Sequence, residues 1–161
     1  MHRFYRSLLL TATLLAGCGA QESTTEPTLQ SLWDQKLSSC ALNCHEQGGE
    51  QAQAPGPDLS TRDAFYQSLV NRAYSDYPDW DVSATSCSNP ALQGLPFINP
   101  GKVDQSLLLA TLVQRYSDQL TAEYGCNIGY NIHSTNQVTL DNDATFIADL
   151  ETWIRDGAKN N

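Results

Sequence analysis

The sequence predicts an all-α fold, a small domain of about four helices joined by long loops. Apolar residues recur at intervals of three and four in several stretches, which is the period of an amphipathic helix. Four of the seven prolines lie between residues 74 and 101, so this stretch is predicted to be irregular. A domain spanning 29–161 buries only ~65–70% of its surface, so a disulfide or a prosthetic group would help to stabilise it.

The first two predicted helices flank a loop, "GGEQAQAPGPDLS". The first helix carries a close pair of cysteines on its apolar side. The second begins in "STRD", residues 60–63, which is typical of a helix start with an acidic partner at the third position. The apolar faces comprise Leu29, Leu32, Trp33, Leu37, Cys40, Ala41 and Cys44 in the first helix, and Phe65, Leu69, Val70 and Ala73 in the second.

The third predicted helix begins at Asp104 or Ser106. The last runs from about Asp141 to Asp156, where Gly157 provides the stop. Residues 121–139 between them are predicted to form a loop. The apolar faces comprise Leu107, Leu108, Thr111, Leu112 and Tyr116 in the third helix, and Phe146, Ile147, Leu150, Trp153 and Ile154 in the last.

Residues 1–17 have the pattern of a signal peptide. Arg3 and Arg6 precede an apolar run, and Leu15-Ala16-Gly17-Cys18 resembles the lipobox of bacterial lipoproteins, which implies cleavage before Cys18 and lipidation of that residue. An ordinary secretory signal is the alternative. Residues 18–28 then form a polar tether. No aspartate follows Cys18, which favours the outer membrane, and no other segment approaches the ~20 apolar residues of a membrane-spanning helix.

The charge balance excludes one class of partner. The whole chain has 9 basic and 18 acidic side chains, and removal of the leader leaves 7 against 18, a net charge of −11. Nucleic-acid binding requires clustered Lys and Arg, so no nucleic-acid partner is expected. The acidity suits an exported domain with a solvated surface or a basic docking partner.

Four cysteines remain if Cys18 is lipidated: a close pair, Cys40 and Cys44, and a distant pair, Cys87 and Cys126. Free thiols seldom persist in an oxidising compartment, so both pairs are expected to be covalently occupied. A disulfide between the distant pair would close a loop of about 40 residues and is predicted here. The close pair precedes His45 in a C-x-x-x-C-H pattern, one residue longer than the C-x-x-C-H of c-type haem attachment.

The close pair has other interpretations. A disulfide between Cys40 and Cys44 requires the helix to fray, because the bond needs Cα atoms about 5.5–6 Å apart. A zinc site built from both cysteines, His45 and His133 lacks the usual ligand spacing, and adjacent ligands rarely serve one tetrahedral ion.

Residues 29–159 resemble the class I cytochrome c domain, and most closely the divergent cytochrome c-like domains of exported lipoproteins. The resemblance rests on the cysteine–histidine pattern, on Gly56-Pro57-Asp58-Leu59 and on the final "FIADLETWIRDGAK". In addition, "INPGKVDQSLLLATL" resembles a V-x-P-G-x-x-x-x-S-x-L segment of such lipoproteins. The resemblance implies one covalent haem c in a cytochrome c-like domain.

The resemblance also assigns the haem contacts. Thioethers would form at Cys40 and Cys44, and His45 would be the proximal iron ligand. The Pro57 carbonyl would accept a hydrogen bond from the other ring nitrogen of this histidine. The extra residue between the cysteines departs from the usual pattern and requires a different turn.

The sixth iron ligand departs further. Class I cytochromes place a methionine in the loop before the last helix, but the single methionine here is Met1, in the leader. His133 lies where the methionine would be, so the prediction is bis-histidine ligation by His45 and His133. Such ligation gives a lower potential than His/Met, because a thioether raises E°. The alternative is a surface histidine, with the iron five-coordinate or otherwise ligated.

The function implied by the resemblance is that of a monomeric, lipid-anchored electron carrier that faces the periplasm and exchanges single electrons with redox partner proteins. No Ser-His-acid or paired-carboxylate arrangement stands out, so catalysis independent of haem is not expected. The alternative is a haem-free cytochrome-like lipoprotein with two disulfides, which acts as a binding or structural module.

Overall fold

The computed structural model describes residues 26–41, 56–78, 89–128 and 143–161. Within these ranges the chain is mostly helical and contains no strand, so the predicted all-α class is confirmed there. The α-helices are α1 (Leu29–Gln35), α2 (Arg62–Leu69), α3 (Pro90–Gln93), α4 (Leu107–Leu112), α5 (Gln114–Tyr124) and α6 (Ala144–Arg155). Short 3₁₀ helices span Leu37–Ala41, Tyr74–Asp76 and Val103–Gln105.

Helix α1 begins at a capping box but ends earlier than predicted. Thr28 Oγ1 accepts a hydrogen bond from the Ser31 amide, and Ser31 Oγ accepts one from the Thr28 amide, both at 3.0 Å. The prediction of one helix through Cys44 was wrong, because regular helix stops at Lys36. The Ser39 hydroxyl and amide both donate to the Lys36 carbonyl, and such local serine bonds compete with helix propagation.

Helix α2 is also shorter than its predicted apolar face. Thr61 Oγ1 accepts a hydrogen bond from the Ala64 amide and caps the helix, which ends at Leu69. Asn71 then adopts the left-handed conformation with φ of +57°, which a helix does not continue through. Ala73 therefore lies outside the helix, where it forms an isolated β-bridge with Pro96.

The segment predicted to be irregular contains α3. Asn89 caps this helix by accepting a hydrogen bond from the Ala91 amide, and Pro90 occupies its first position, where no amide is needed. Two backbone hydrogen bonds at Phe97 stabilise the segment that follows α3. The Phe97 amide donates to the Arg72 carbonyl, and the Leu108 amide donates to the Phe97 carbonyl.

The predicted third helix is two helices, α4 and α5, which meet at Val113. Val113 has extended dihedral angles, φ −133° and ψ 116°, so the chain bends there. The two helices pack against each other. Helix α5 continues to Tyr124 and ends at Gly125 with φ of +70°, so the loop predicted from residue 121 begins later.

The last helix, predicted from about Asp141 to Asp156, spans Ala144–Arg155 and therefore begins later than predicted. Asp143 caps α6 by accepting a hydrogen bond from the Phe146 amide at 3.0 Å. All five residues of the predicted apolar face are buried, and Gly157, with φ of +100°, follows the helix as its stop. Helix α6 packs on α1, so the first and last described helices share one core.

Candidate functional site

Five of the residues singled out from the sequence lie outside the described ranges. These are Cys18, Cys44, His45, Cys87 and His133. Cys40, Pro57 and Cys126 lie within them. Among the described residues no hydrogen bond joins Cys40 to Pro57.

Cys40 lies in the 3₁₀ helix Leu37–Ala41, half-buried and packed against the hydrophobic core. Leu37 anchors this turn, since its side chain is completely buried. Cys40 is a free thiol.

Burial raises the pKa of the Cys40 thiol to about 11, against a smaller opposing effect of a hydrogen bond from its own backbone. The thiol is therefore protonated at neutral pH. Because the thiolate is the reactive form, this cysteine is a poor nucleophile toward oxidants and disulfides.

Pro57 is buried at the start of the second described segment. The next residue, Asp58, accepts a hydrogen bond from the Ser60 amide at 2.9 Å, and Leu59 enters the core with 6% exposure. This turn holds the Pro57 backbone in place. No donor within the described ranges reaches the Pro57 carbonyl. The Pro57 carbonyl is therefore available as the acceptor of the predicted imidazole hydrogen bond.

Cys126 is disulfide-bonded, and its partner lies outside the described residues. No disulfide has both of its cysteines within the described ranges. The Asn89 side chain donates to the Tyr124 carbonyl at 2.8 Å, and Cys126 Sγ lies 3.5 Å from the same oxygen. Asn89 therefore lies beside Tyr124. Asn89 is two positions from Cys87 in the sequence, and Tyr124 is two positions from Cys126. This proximity favours the predicted pairing.

The segment "NPGKVDQS" forms a tight loop closed by a buried serine. Ser106 Oγ accepts a hydrogen bond from the Asn99 amide at 2.9 Å and donates one to the Lys102 carbonyl at 3.0 Å. The Gly101 amide donates to the Ile154 carbonyl of α6 at 2.7 Å. The sequence indicated Ser106 as a helix start and as the serine of the P-G-x-x-x-x-S pattern, and its spacing from the Pro-Gly pair was the signal for this second role.

The final "WIRDGA" forms the end of α6. The Ala158 amide donates to the Trp153 carbonyl at 2.8 Å across the left-handed Gly157, as in a Schellman motif. Ala158 is completely buried, and Trp153 Nε1 donates to the Lys159 carbonyl at 2.9 Å. The two motifs of the cytochrome resemblance around Gly101 and Trp153 are therefore in contact and serve the fold.

The described residues contain no group of three or more His, Cys, Asp or Glu side chains that could hold a metal ion. Within the same ranges no helix has the length and apolarity needed to cross a membrane. The ligands of the zinc alternative, apart from Cys40, lie outside these ranges.

Comparison with known proteins gives no relative: no family model matches the sequence, and neither a curated protein nor a solved structure shows significant similarity to it.

Proposed function

We propose that the protein is a lipid-anchored c-type cytochrome of the bacterial cell envelope, which carries single electrons through one covalently bound haem. The observation that carries the proposal is the Cys40 thiol, which is free and precedes Cys44 and His45 in a haem-attachment-like pattern. Attachment consumes reduced thiols, and Cys40 presents one.

The Pro57 carbonyl, which no described donor reaches, supports the assignment of the proximal ligand. An iron-bound imidazole is oriented by the hydrogen bond that its other ring nitrogen donates, commonly to a backbone carbonyl. In the proposal, His45 supplies the imidazole and Pro57 the acceptor. The Asp58–Ser60 turn directly follows this carbonyl in the chain.

The haem, when bound, supplies the redox chemistry, and the residues of the chain set its potential and its docking. His133 is the proposed second axial ligand, which would place the potential below that of a His/Met cytochrome. The strongly acidic mature chain fits redox partners that present basic surfaces. No enzymatic activity is proposed.

Export from a host able to attach haem c tests the proposal. The purified mature chain should retain its colour after acid-acetone extraction, and its intact mass should include one haem. Cys44→Ala and His45→Ala should abolish or strongly reduce attachment, and Cys40→Ala should weaken it. Ser38→Ala, at an exposed position of the same turn whose side chain makes no hydrogen bond within the described ranges, should leave attachment unchanged.

A colourless product would contradict the proposal. If its mass equalled that of the polypeptide less two hydrogens for each of two disulfides, the haem-free binding or structural module would be the better interpretation. Peptide mapping under non-reducing conditions would then find Cys40 joined to Cys44.

A further inference from the structure

The C-terminal end of α6 carries a group of exposed basic side chains. Arg155 lies in the last turn of the helix and Lys159 follows it. Lys102 is next to Gly101, whose amide bonds to the Ile154 carbonyl of the same helix end. We refer to Lys102, Arg155 and Lys159 as the basic end.

The three side chains of the basic end form no ion pair within the described ranges. Lys36, Arg62 and Arg115 each pair with a carboxylate there, whereas Arg72, outside the basic end, has no ion pair either. Three of the four bases without an ion pair in the described ranges thus belong to the basic end, although acidic side chains outnumber basic ones by 18 to 7 once the predicted leader is removed. Asp104 and Asp156 are neighbours in sequence, but neither is bonded to these bases.

One of the three bases has a structural explanation. Arg155 lies near the negative end of the α6 dipole, where a cation is favourable. Lys102 belongs to a different segment and Lys159 follows the helix stop. The dipole acts mainly within the last turn, so it accounts for a base at these two positions less well than for Arg155. The basic end is therefore a candidate for binding to an anionic surface.

The predicted tether joins the domain at the same end. The Leu29 and Gln30 amides, in the first turn of α1, donate to Asn161 at 3.2 and 3.1 Å. Asn161 is two residues from Lys159. The chain arriving from residues 18–28 thus enters the fold beside the basic end.

We propose that the basic end lies against an anionic phospholipid surface, while the rest of the acidic domain faces away from it. The inference rests on the proposed lipidation of Cys18 and is independent of the haem. Each Lys or Arg close to an anionic bilayer favours the bound orientation by roughly fivefold. That attraction is weak for a free protein, but it is sufficient to orient a domain that a lipid already holds at the surface.

The lysines provide the test. Without the predicted leader the chain contains three, of which Lys102 and Lys159 belong to the basic end and Lys36 does not. The lipidated chain is placed on vesicles of phosphatidylcholine with or without about 30% phosphatidylglycerol. A water-soluble N-hydroxysuccinimide ester then acetylates the exposed lysines, and peptide mass spectrometry gives the rate at each one.

On the anionic vesicles, acetylation of Lys102 and Lys159 should slow by roughly threefold or more relative to Lys36. The difference should disappear on phosphatidylcholine alone and at about 0.5 M salt, which screens the attraction. Arg155→Glu should reduce the protection of both lysines. Arg72→Glu changes the net charge equally from an exposed position outside the basic end and should leave the protection intact.

Flotation of the vesicles distinguishes failure of the proposed lipid anchor from failure of the proposed orientation. A chain that does not float with them contradicts the lipid anchor, and the orientation with it. A chain that floats but shows equal acetylation changes at all three lysines contradicts the orientation alone. Equal effects of Arg155→Glu and Arg72→Glu would likewise overturn it, since only net charge would then matter.

Discussion

The Asn161 side chain accepts a hydrogen bond from the Leu29 backbone amide at 3.2 Å, across 132 positions of sequence. The Asn161 carbonyl oxygen accepts another from the Gln30 amide at 3.1 Å. Amides in the first turn of a helix have no partner within that helix. Asn161 therefore satisfies two of them and fastens α1 to the segment that follows α6.

Removal of the side-chain acceptor should loosen this contact. Asn161→Ala is expected to lower the free energy of unfolding by about 1 kcal/mol, the usual cost of losing a helix-capping acceptor. Urea denaturation followed by circular dichroism measures it. Asn160→Ala is the matched control, since this exposed neighbour makes no hydrogen bond within the described ranges. Equal effects of the two substitutions would show that the contact contributes nothing specific.

Two buried serines should respond in opposite ways to the same substitution. Ser106→Ala leaves the Asn99 amide without its acceptor, which should cost about 1–3 kcal/mol of stability. Ser117, on α5, has 4% exposure, and no described residue bonds to its hydroxyl. Ser117→Ala should therefore leave stability unchanged or raise it, because alanine removes an unbonded hydroxyl and favours helix. The denaturant midpoints of the two variants measure this difference. A larger loss of stability in Ser117→Ala than in Ser106→Ala would contradict the role given to the Ser106 hydroxyl.

Acid should weaken the junction between α1 and α6. The hydrogen bond from the Phe146 amide lowers the pKa of the Asp143 carboxyl below its ordinary value of 3.8, and the nearby Lys36 ammonium, 3.4 Å away, lowers it further. Because the folded state favours the ionised carboxylate, its stabilisation is complete well above pH 3.8. It is lost as the pH falls below that value through the lower pKa of the folded state.

The comparison of Asp143→Asn with the unmodified chain isolates this effect. The two should differ in urea midpoint at pH 7 and converge as the pH falls below 3.8. Asparagine still accepts the capping hydrogen bond, so the charge alone is removed. Asp118→Asn is the control, because this exposed aspartate on α5 has neither a cap role nor an ion pair within the described ranges. A difference that persists unchanged at low pH would exclude ionisation as its cause.

Periodicity was sufficient to predict the buried side of α6, since all five of its apolar positions face the core. It failed where local side chains compete with the helix. Ser39 bonds to the Lys36 carbonyl and ends the regular helix before Cys40, although the apolar spacing continues. The bend at Val113 could likewise not be predicted from the sequence pattern, because apolar residues continue on both sides of it.

The candidate site was harder to predict from the sequence than the helices, because tertiary structure sets the contacts of its residues. The spacing of Cys40, Cys44 and His45 suggested haem attachment, but burial of the Cys40 thiol depends on how the turn anchored by Leu37 meets the core. The role of Ser106 depends on Asn99 and Lys102, which only a folded loop brings together. Sequence patterns thus indicated the chemistry, and packing decided the environment of each group.

The distant cysteine pair yields a covalent prediction. Asn89 bonds to the Tyr124 carbonyl, which brings residues two positions from Cys87 and Cys126 together, so these two cysteines should form the disulfide. Non-reducing peptide mapping should recover them in one linked peptide. Cys87→Ser and Cys126→Ser should each lower stability by about 2–4 kcal/mol, and the double variant by no more than either alone. A peptide that links Cys126 to Cys44 or Cys18 would contradict the pairing.

The last prediction concerns the sixth iron ligand of the proposed cytochrome. Without a methionine after the leader, a low-spin haem needs another strong-field ligand, and His133 is the second histidine of the mature chain besides His45. His133→Ala should convert the absorption spectrum from low to high spin and allow carbon monoxide to bind the ferrous iron. His133→Met should restore six-coordination at a higher potential, because a thioether ligand raises E°. If His133→Ala leaves a low-spin spectrum unchanged, or the unmodified protein is already high spin, His133 does not bind the iron and the domain is better understood as a ligand-binding haem protein.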